Sequence, residues 1–98
     1  MTATVTHNPA ASRFEVQLDG HLAECVYSRD GDVLVLEHTE VPEAMQGLGL
    51  AGQLVKAALG WARTEGLRVR PHCSYVTSYM RRHPETHDLL ETPLSPQP

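Results

Sequence analysis

Residues 41–52 read Val-Pro-Glu-Ala-Met-Gln-Gly-Leu-Gly-Leu-Ala-Gly, and they restrict the fold more than any other stretch. A Gln-x-x-Gly-x-Ala turn stands there between an apolar, β-branched run and an amphipathic run at helical spacing. Glycines admit the backbone conformations that turn a strand sharply into a helix. They also let N–H groups converge where the positive end of the helix dipole points. A strand, glycine turn and helix in this order form an anion cradle, and a pyrophosphate fits it without a lysine. The candidate binding residues are Gln46, Gly47, Leu48, Gly49, Leu50, Ala51 and Gly52. A sharp left-handed loop with no ligand is the plain alternative.

At 98 residues the chain has room for one modest core. Only 5% of it is aromatic, so Leu, Val and Ala must fill that core. Eight basic and twelve acidic side chains give a formal net charge of −4. That balance argues against a general nucleic-acid binder or a partner of anionic membranes. Local backbone dipoles can still hold an anion. No apolar run approaches the ~20 residues that span a bilayer, and no basic block precedes an apolar one at the N-terminus. The expectation is a cytoplasmic protein whose Cys25 and Cys73 are free thiols.

Periodicity supplies the elements. Residues 1–12 show none and are expected to be flexible. Residues 13–18 alternate polar with apolar, as a half-buried strand does. Asp19-Gly20 is a tight turn, 21–29 a second strand, and Asp30-Gly31-Asp32 another turn. Residues 33–41 form a third strand, apolar on both faces in its first half and therefore central. These three strands make an antiparallel meander. Residues 48–64 are helical, with Leu50, Leu54, Ala58 and Trp61 on one face, and Gly66 is a left-handed cap. Residues 67–71 form a short strand, and a second helix covers roughly 77–82. His83-Pro84 interrupts it, and 84–90 begin another turn or two. Residues 92–98, with three prolines, read as a flexible tail. The fold class is α/β (α+β) in the order β-β-β-α-β-α, with the domain over residues 13–91.

Four ordered matches now bear on family. They are the turn itself, His38-Thr39-Glu40-Val41-Pro42, Pro71-His72-Cys73-Ser74-Tyr75-Val76 and Arg82-His83-Pro84-Glu85. Together they resemble the GNAT acetyltransferase superfamily, and more narrowly its minimal, single-domain acetyl-CoA-binding subfamily, over about residues 13–91. The resemblance implies a splayed strand pair, with the acyl-pantetheine arm of acetyl-CoA lying in the wedge against the backbone of Glu40 and Val41. It implies that residues 46–52 carry the pyrophosphate and that Tyr79 protonates the coenzyme A thiolate. Tyr79 and Arg82 would flank the pantetheine and adenosine parts. The implied activity is acetyl transfer to an amine acceptor, by a monomer or homodimer. Two alternatives stay open: a module that holds acetyl-CoA without an acceptor pocket, and an acetyl-enzyme on Cys73.

The chain also departs from the family pattern. A two-residue turn replaces the two helices that normally follow the first strand, and the final hairpin is missing. Cys73 and Ser74 stand where an asparagine is often found, and Thr86 stands where the subfamily carries an aromatic residue.

Direct acetyl transfer needs a base, a polarised carbonyl and an acid. The Val41 N–H is the candidate for polarising the carbonyl. His38 and Glu40 share one strand face by period two, so either qualifies as base; strand-end charge is the plain alternative. Cys73 is either a small buried hydrophobe or a thiol near the thioester, steered by His72 or a helix N-terminus. Tyr79 either donates a proton or caps the core. Cys25 reads as core. His83 and His87 lie four apart, but Pro84 breaks the helix between them, and no metal site is expected.

Overall fold

Period-two alternation sorts the strand side chains onto two faces. Phe14, Val16, Ala23, Cys25, Tyr27, Leu34, Leu36 and Val69 are all buried on one of them. The computed structural model describes residues 4–96. Its strands are β1 (Thr6–Asn8), β2 (Arg13–Leu18), β3 (His21–Asp30) and β4 (Val33–Glu40). Helix α1 (Leu50–Glu65) then crosses over to β5 (Arg68–Pro71), and α2 (Ser74–Arg82) follows. The sheet order is β1-β2-β3-β4-β5, antiparallel up to β4 and parallel between β4 and β5. Leu54, Val55 and Ala58 of α1 and Val76 and Met80 of α2 join the same core as the strand residues. Both helices therefore cover one face of the sheet. Each large aliphatic side chain buried there contributes about 1.5–3 kcal/mol.

The structure differs from the sequence reading at several boundaries. Thr6–Asn8, where no periodicity is visible, pair in register with Arg13–Glu15, so a fourth antiparallel strand precedes the meander. His7 draws that strand in by stacking its ring on Phe14 at 4.2 Å. Helix α1 starts at Leu50 rather than Leu48, because Gly49 has φ +71° and stops the helix there. Helix α2 starts at Ser74 rather than near Thr77, since Val76, Tyr79 and Met80 share its buried face. In the tail, Leu94 packs against the core. The parts of the expected flexible termini at residues 1–3 and 97–98 lie outside the described residues.

Two irregularities shape the region around the end of β4. The first is a bulge. Leu36 pairs with Tyr27 and His38 with Val26, which leaves Glu37 as an extra residue. The alternation inverts there. Thr39 turns to the helix side opposite buried Cys25, while His38 and Glu40 turn to the helix-free side. The second is a splay. Strands β4 and β5 pair only from Val33–Arg68 to Leu36–Pro71. Beyond that point the N–H groups of His72 and Cys73 both donate to the Leu36 carbonyl, at 3.0 and 3.1 Å. The chain then turns into α2, and the last half of β4 stands open beside it.

Candidate active site

The cradle is built by backbone conformation. Gly47 and Gly49 have φ of +83° and +71°, a region that side-chain-bearing residues rarely adopt. Gly49 is the N-cap of α1, no side chain caps that end, and its first turn holds no acid. The N–H groups of Leu50, Ala51 and Gly52 have no intrahelical acceptor by helix geometry. Buried Met45 anchors the approach, and the Gln46 amide donates to the Val41 carbonyl at 3.2 Å. That bond ties the loop to the end of β4. The resulting cleft, of about 220 Å³, is lined by Val41, Gln46, Gly47, Gly49, Gly52 and Tyr75, among others. The Val41 N–H has no hydrogen-bond acceptor among the described residues. Leu48 is 53% exposed at the tip of the turn.

Where the strands part, Thr39 stands between two thiols. Its hydroxyl lies 3.8 Å from Cys25 Sγ and 3.6 Å from Cys73 Sγ. Burial pushes the Cys25 thiol up to about 11, against a smaller opposing pull from Thr39. Cys73 behaves differently. Burial alone would raise it, but the backbone of Val76, the Thr39 hydroxyl and the backbone of Tyr75 together bring it below the ordinary thiol value. Cys73 is the N-cap of α2 without a formal side-chain capping bond, so the amides act through the field of the helix N-terminus. His72 does not steer this thiol. It points to Glu37, with Nδ1 3.1 Å from Oε1.

On the helix-free face, Glu15, Glu24 and Glu40 stand side by side across β2, β3 and β4. Like charges in cross-strand register repel, and the Arg13 guanidinium and the His38 ring stand against them. Arg13 reaches Glu15 at 2.6 Å and Glu24 at 3.4 Å. His38 Nε2 lies 3.1 Å from Glu40 Oε2. The donor atoms of Glu24, His38 and Glu40 all fall within 4.8 Å of one another. This His–carboxylate pair is suited to taking a proton, directly or through water.

Of the residues singled out in the sequence, Val41, Gln46, Gly47, Gly49, Leu50, Ala51 and Gly52 come together in one cleft. Tyr79 and Gly52 line a second cleft with Lys56 and His83. The Tyr79 ring stacks under His83 at 4.1 Å, and burial, then Glu85, raises its pKa, so it stays a neutral phenol. Arg82 is exposed and lines neither cleft. Three residues escaped the sequence reading. Tyr75 sits one helical turn before Tyr79, a spacing that puts both on one face of α2. Thr39 and Glu24 depend on the bulge and on strand register, which no local pattern reveals.

A mixed five-stranded sheet, helices on one face, and a parallel pair that opens beside a glycine turn define a GNAT-like fold. The comparisons agree. Residues 13–89 match the family described as GCN5-related N-acetyl-transferase, and the chain belongs to that family. It is similar to Protein NATD1 of Mus musculus, at 37% identity over 83 residues, covering 82% of this chain and 76% of that one. Protein NATD1 of Homo sapiens is likewise 37% identical, over 82% of this chain and 74% of its own. The fold matches the solution structure of a GCN5-like putative N-acetyltransferase from Staphylococcus aureus with a TM-score of 0.70. That likeness, at 23% identity, covers 94% of this chain and 90% of the other. No helix among the described residues is long and apolar enough to cross a membrane.

Proposed function

We propose that this protein binds acetyl-CoA across the cradle and the open edge of β4 and transfers its acetyl group to an amine. The observation that carries this reading is the adjacency of the two features. Amides at the start of α1 with no intrahelical acceptor sit beside Val41, whose N–H has no acceptor among the described residues, in a single cleft. The pyrophosphate takes the helix amides. The acyl arm runs along the unpaired half of β4, and the Val41 N–H polarises the thioester carbonyl. His38 and Glu40 accept the proton of the incoming amine from the helix-free side. Tyr75 and Tyr79 flank Gly52, and one of them returns a proton to the departing thiolate.

Titration calorimetry with acetyl-CoA tests the binding. Micromolar affinity, about −8 kcal/mol, is expected, with ATP weaker. The absence of both heat and a thermal shift sinks the reading. Turnover with a panel of amines, compared among Tyr75→Phe, Tyr79→Phe and the parent, identifies the acid.

A second reading rests on Cys73, a helix N-cap thiol with a depressed pKa at the open end of β4. Its thiolate would attack the thioester carbonyl, forming an acetyl-cysteine thioester and releasing the coenzyme A thiolate, which takes up a proton. Incubation with acetyl-CoA would then add the mass of one acetyl group, and Cys73→Ser would abolish the addition. A chain that turns over amines with no such adduct takes the direct route.

A further inference from the structure

We infer that Glu24, His38 and Glu40 form a site for one first-row divalent cation of the zinc class on the helix-free face of the sheet. Among the described residues, no other trio of His, Cys, Asp or Glu side chains brings its donor atoms within 4.8 Å of one another. Strand register builds the trio. Glu24 pairs directly with Glu40 across β3 and β4, and His38 pairs with Val26, the next β3 residue on the same face. Directly opposed side chains start about 5 Å apart at Cβ, within reach of a shared ion. The bulge at Glu37 turns His38 and Glu40 onto the face that Glu24 occupies. No local pattern in the sequence reveals the site, because its ligands meet only through that bulge.

Donor spacing and charge both favour an ion there. Zinc holds its ligands at about 2.0–2.2 Å, which in tetrahedral geometry sets them roughly 3.3–3.6 Å apart. His38 Nε2 and Glu40 Oε2 stand 3.1 Å apart, so these two donors need little movement. Glu24 meets Arg13 through Oε1 alone, at 3.4 Å, which leaves Oε2 to turn toward the pair. The His38 and Glu40 side chains are 54% and 62% exposed, so an ion enters from solvent and keeps water in its remaining position. Glu15, Glu24 and Glu40 bring three negative charges into register, and Arg13 returns one. With His38 neutral, the excess matches a divalent ion. Imidazole beside carboxylates suits zinc and its neighbours, whereas magnesium and calcium prefer shells made of oxygen alone. Cys73, a softer ligand, lies beside Thr39 on the helix side of β4. None of the three ligands lines the cradle cleft, so the site stands apart from the acetyl-CoA reading. The ion and an amine proton compete for the same nitrogen of His38, so zinc occupancy and the direct route exclude each other.

Calorimetry of the untagged chain with zinc chloride, in a buffer that does not chelate, tests the assignment. The parent should bind one ion saturably, and magnesium about tenfold more weakly or worse. His38→Ala and Glu40→Gln should each weaken zinc binding by about tenfold or more. Arg13→Gln should tighten it several-fold, because it releases Glu24 and removes a competing positive charge. Cys73→Ser should leave it unchanged. His38 and Glu40 are exposed, and an unchanged melting temperature without metal verifies that their variants fold. No saturable zinc binding by the parent overturns the site. Binding that survives both His38→Ala and Glu40→Gln, or that vanishes in Cys73→Ser, overturns it too. Equal binding of magnesium reduces the face to an acidic patch, and the assignment falls.

Discussion

The hydroxyl of Thr39 lies 3.6 Å from the sulfur of Cys73, across the gap where β4 and β5 part. Burial raises the pKa of this thiol, and that contact together with the backbone at the N-terminus of α2 brings it below the ordinary value. Thr39→Val keeps the shape and removes the hydroxyl. Thiolate stabilisation weakens, so the Cys73 pKa rises and alkylation by iodoacetamide at neutral pH slows several-fold. The pH profile of that rate should shift to higher pH. Superimposable profiles for parent and variant would show that Thr39 has no part in it. The loss of one hydrogen bond at a partly buried site costs about 1 kcal/mol of stability. Cys25, wholly buried and pushed up to about 11, should stay unmodified in the folded protein.

Gly52 offers an opposite pairing of effects. It lies inside α1 with no left-handed requirement, and an added Cβ meets only ordinary contacts. Gly52→Ala should therefore stabilise the helix by about 0.5–1 kcal/mol. The same methyl narrows the cradle cleft that Gly52 lines, so acetyl-CoA affinity should fall by tenfold or more. Thermal unfolding and calorimetry on one sample check both signs. A variant that is more stable and binds equally well removes Gly52 from the ligand path. Gly49 is a poorer probe, because its φ of +71° makes any side chain strained before a ligand is involved.

Much of this arrangement is legible in the sequence, and what is not has a physical reason. Two Asp-Gly turns, the alternation of β2 and the apolar run that opens β4 define β2 to β4. The glycine turn marks the cradle because its chemistry is local. Strand β1 is invisible because three residues cannot establish a period, and it is held by ring stacking of His7 on Phe14 rather than by pattern. The bulge at Glu37 is the sharper case. Strict alternation from Leu34 and Leu36 would carry His38 and Glu40 onto the core side and Thr39 away from it. One unpaired residue exchanges them. That exchange places the His38–Glu40 pair and Thr39, with the Cys73 thiol beside it, on opposite sides of the same strand.

The separation of faces makes the two chemical routes distinguishable. Glu40→Gln or His38→Ala removes a base from the helix-free side, while the cradle and Cys73 lie on the other. Amine acetylation should fall by about 10²–10⁴-fold, with acetyl-CoA affinity within about twofold of the parent. Steady-state turnover beside calorimetry reads both. If Cys73 acylation is the first step, its single-turnover yield should survive these substitutions. Loss of affinity parallel to loss of rate would instead show that the pair shapes the cofactor cleft.

His7 links folding to pH. Its ring stacks on Phe14 at 4.2 Å and tilts against Trp61 at 4.5 Å, and its Nε2 lies 2.6 Å from Tyr27 Oη. Burial holds its pKa below the usual imidazole value. Arg29, whose guanidinium carbon lies 6.0 Å from the Trp61 ring centroid, brings a further positive charge to the same cluster. The unfolded chain takes up the proton first as pH falls. The contribution to stability is therefore intact above about pH 6.5 and is lost as pH drops from there toward the lower folded value. His7→Phe keeps a ring between Phe14 and Trp61 and removes the titration, at the cost of the Tyr27 hydrogen bond. Carboxylates titrate alike in both proteins. The parent should thus lose more melting temperature than the variant between about pH 7.5 and about pH 5. Equal losses would mean that His7 takes up its proton equally in the folded and unfolded states, or that β1 opens without cost to the fold.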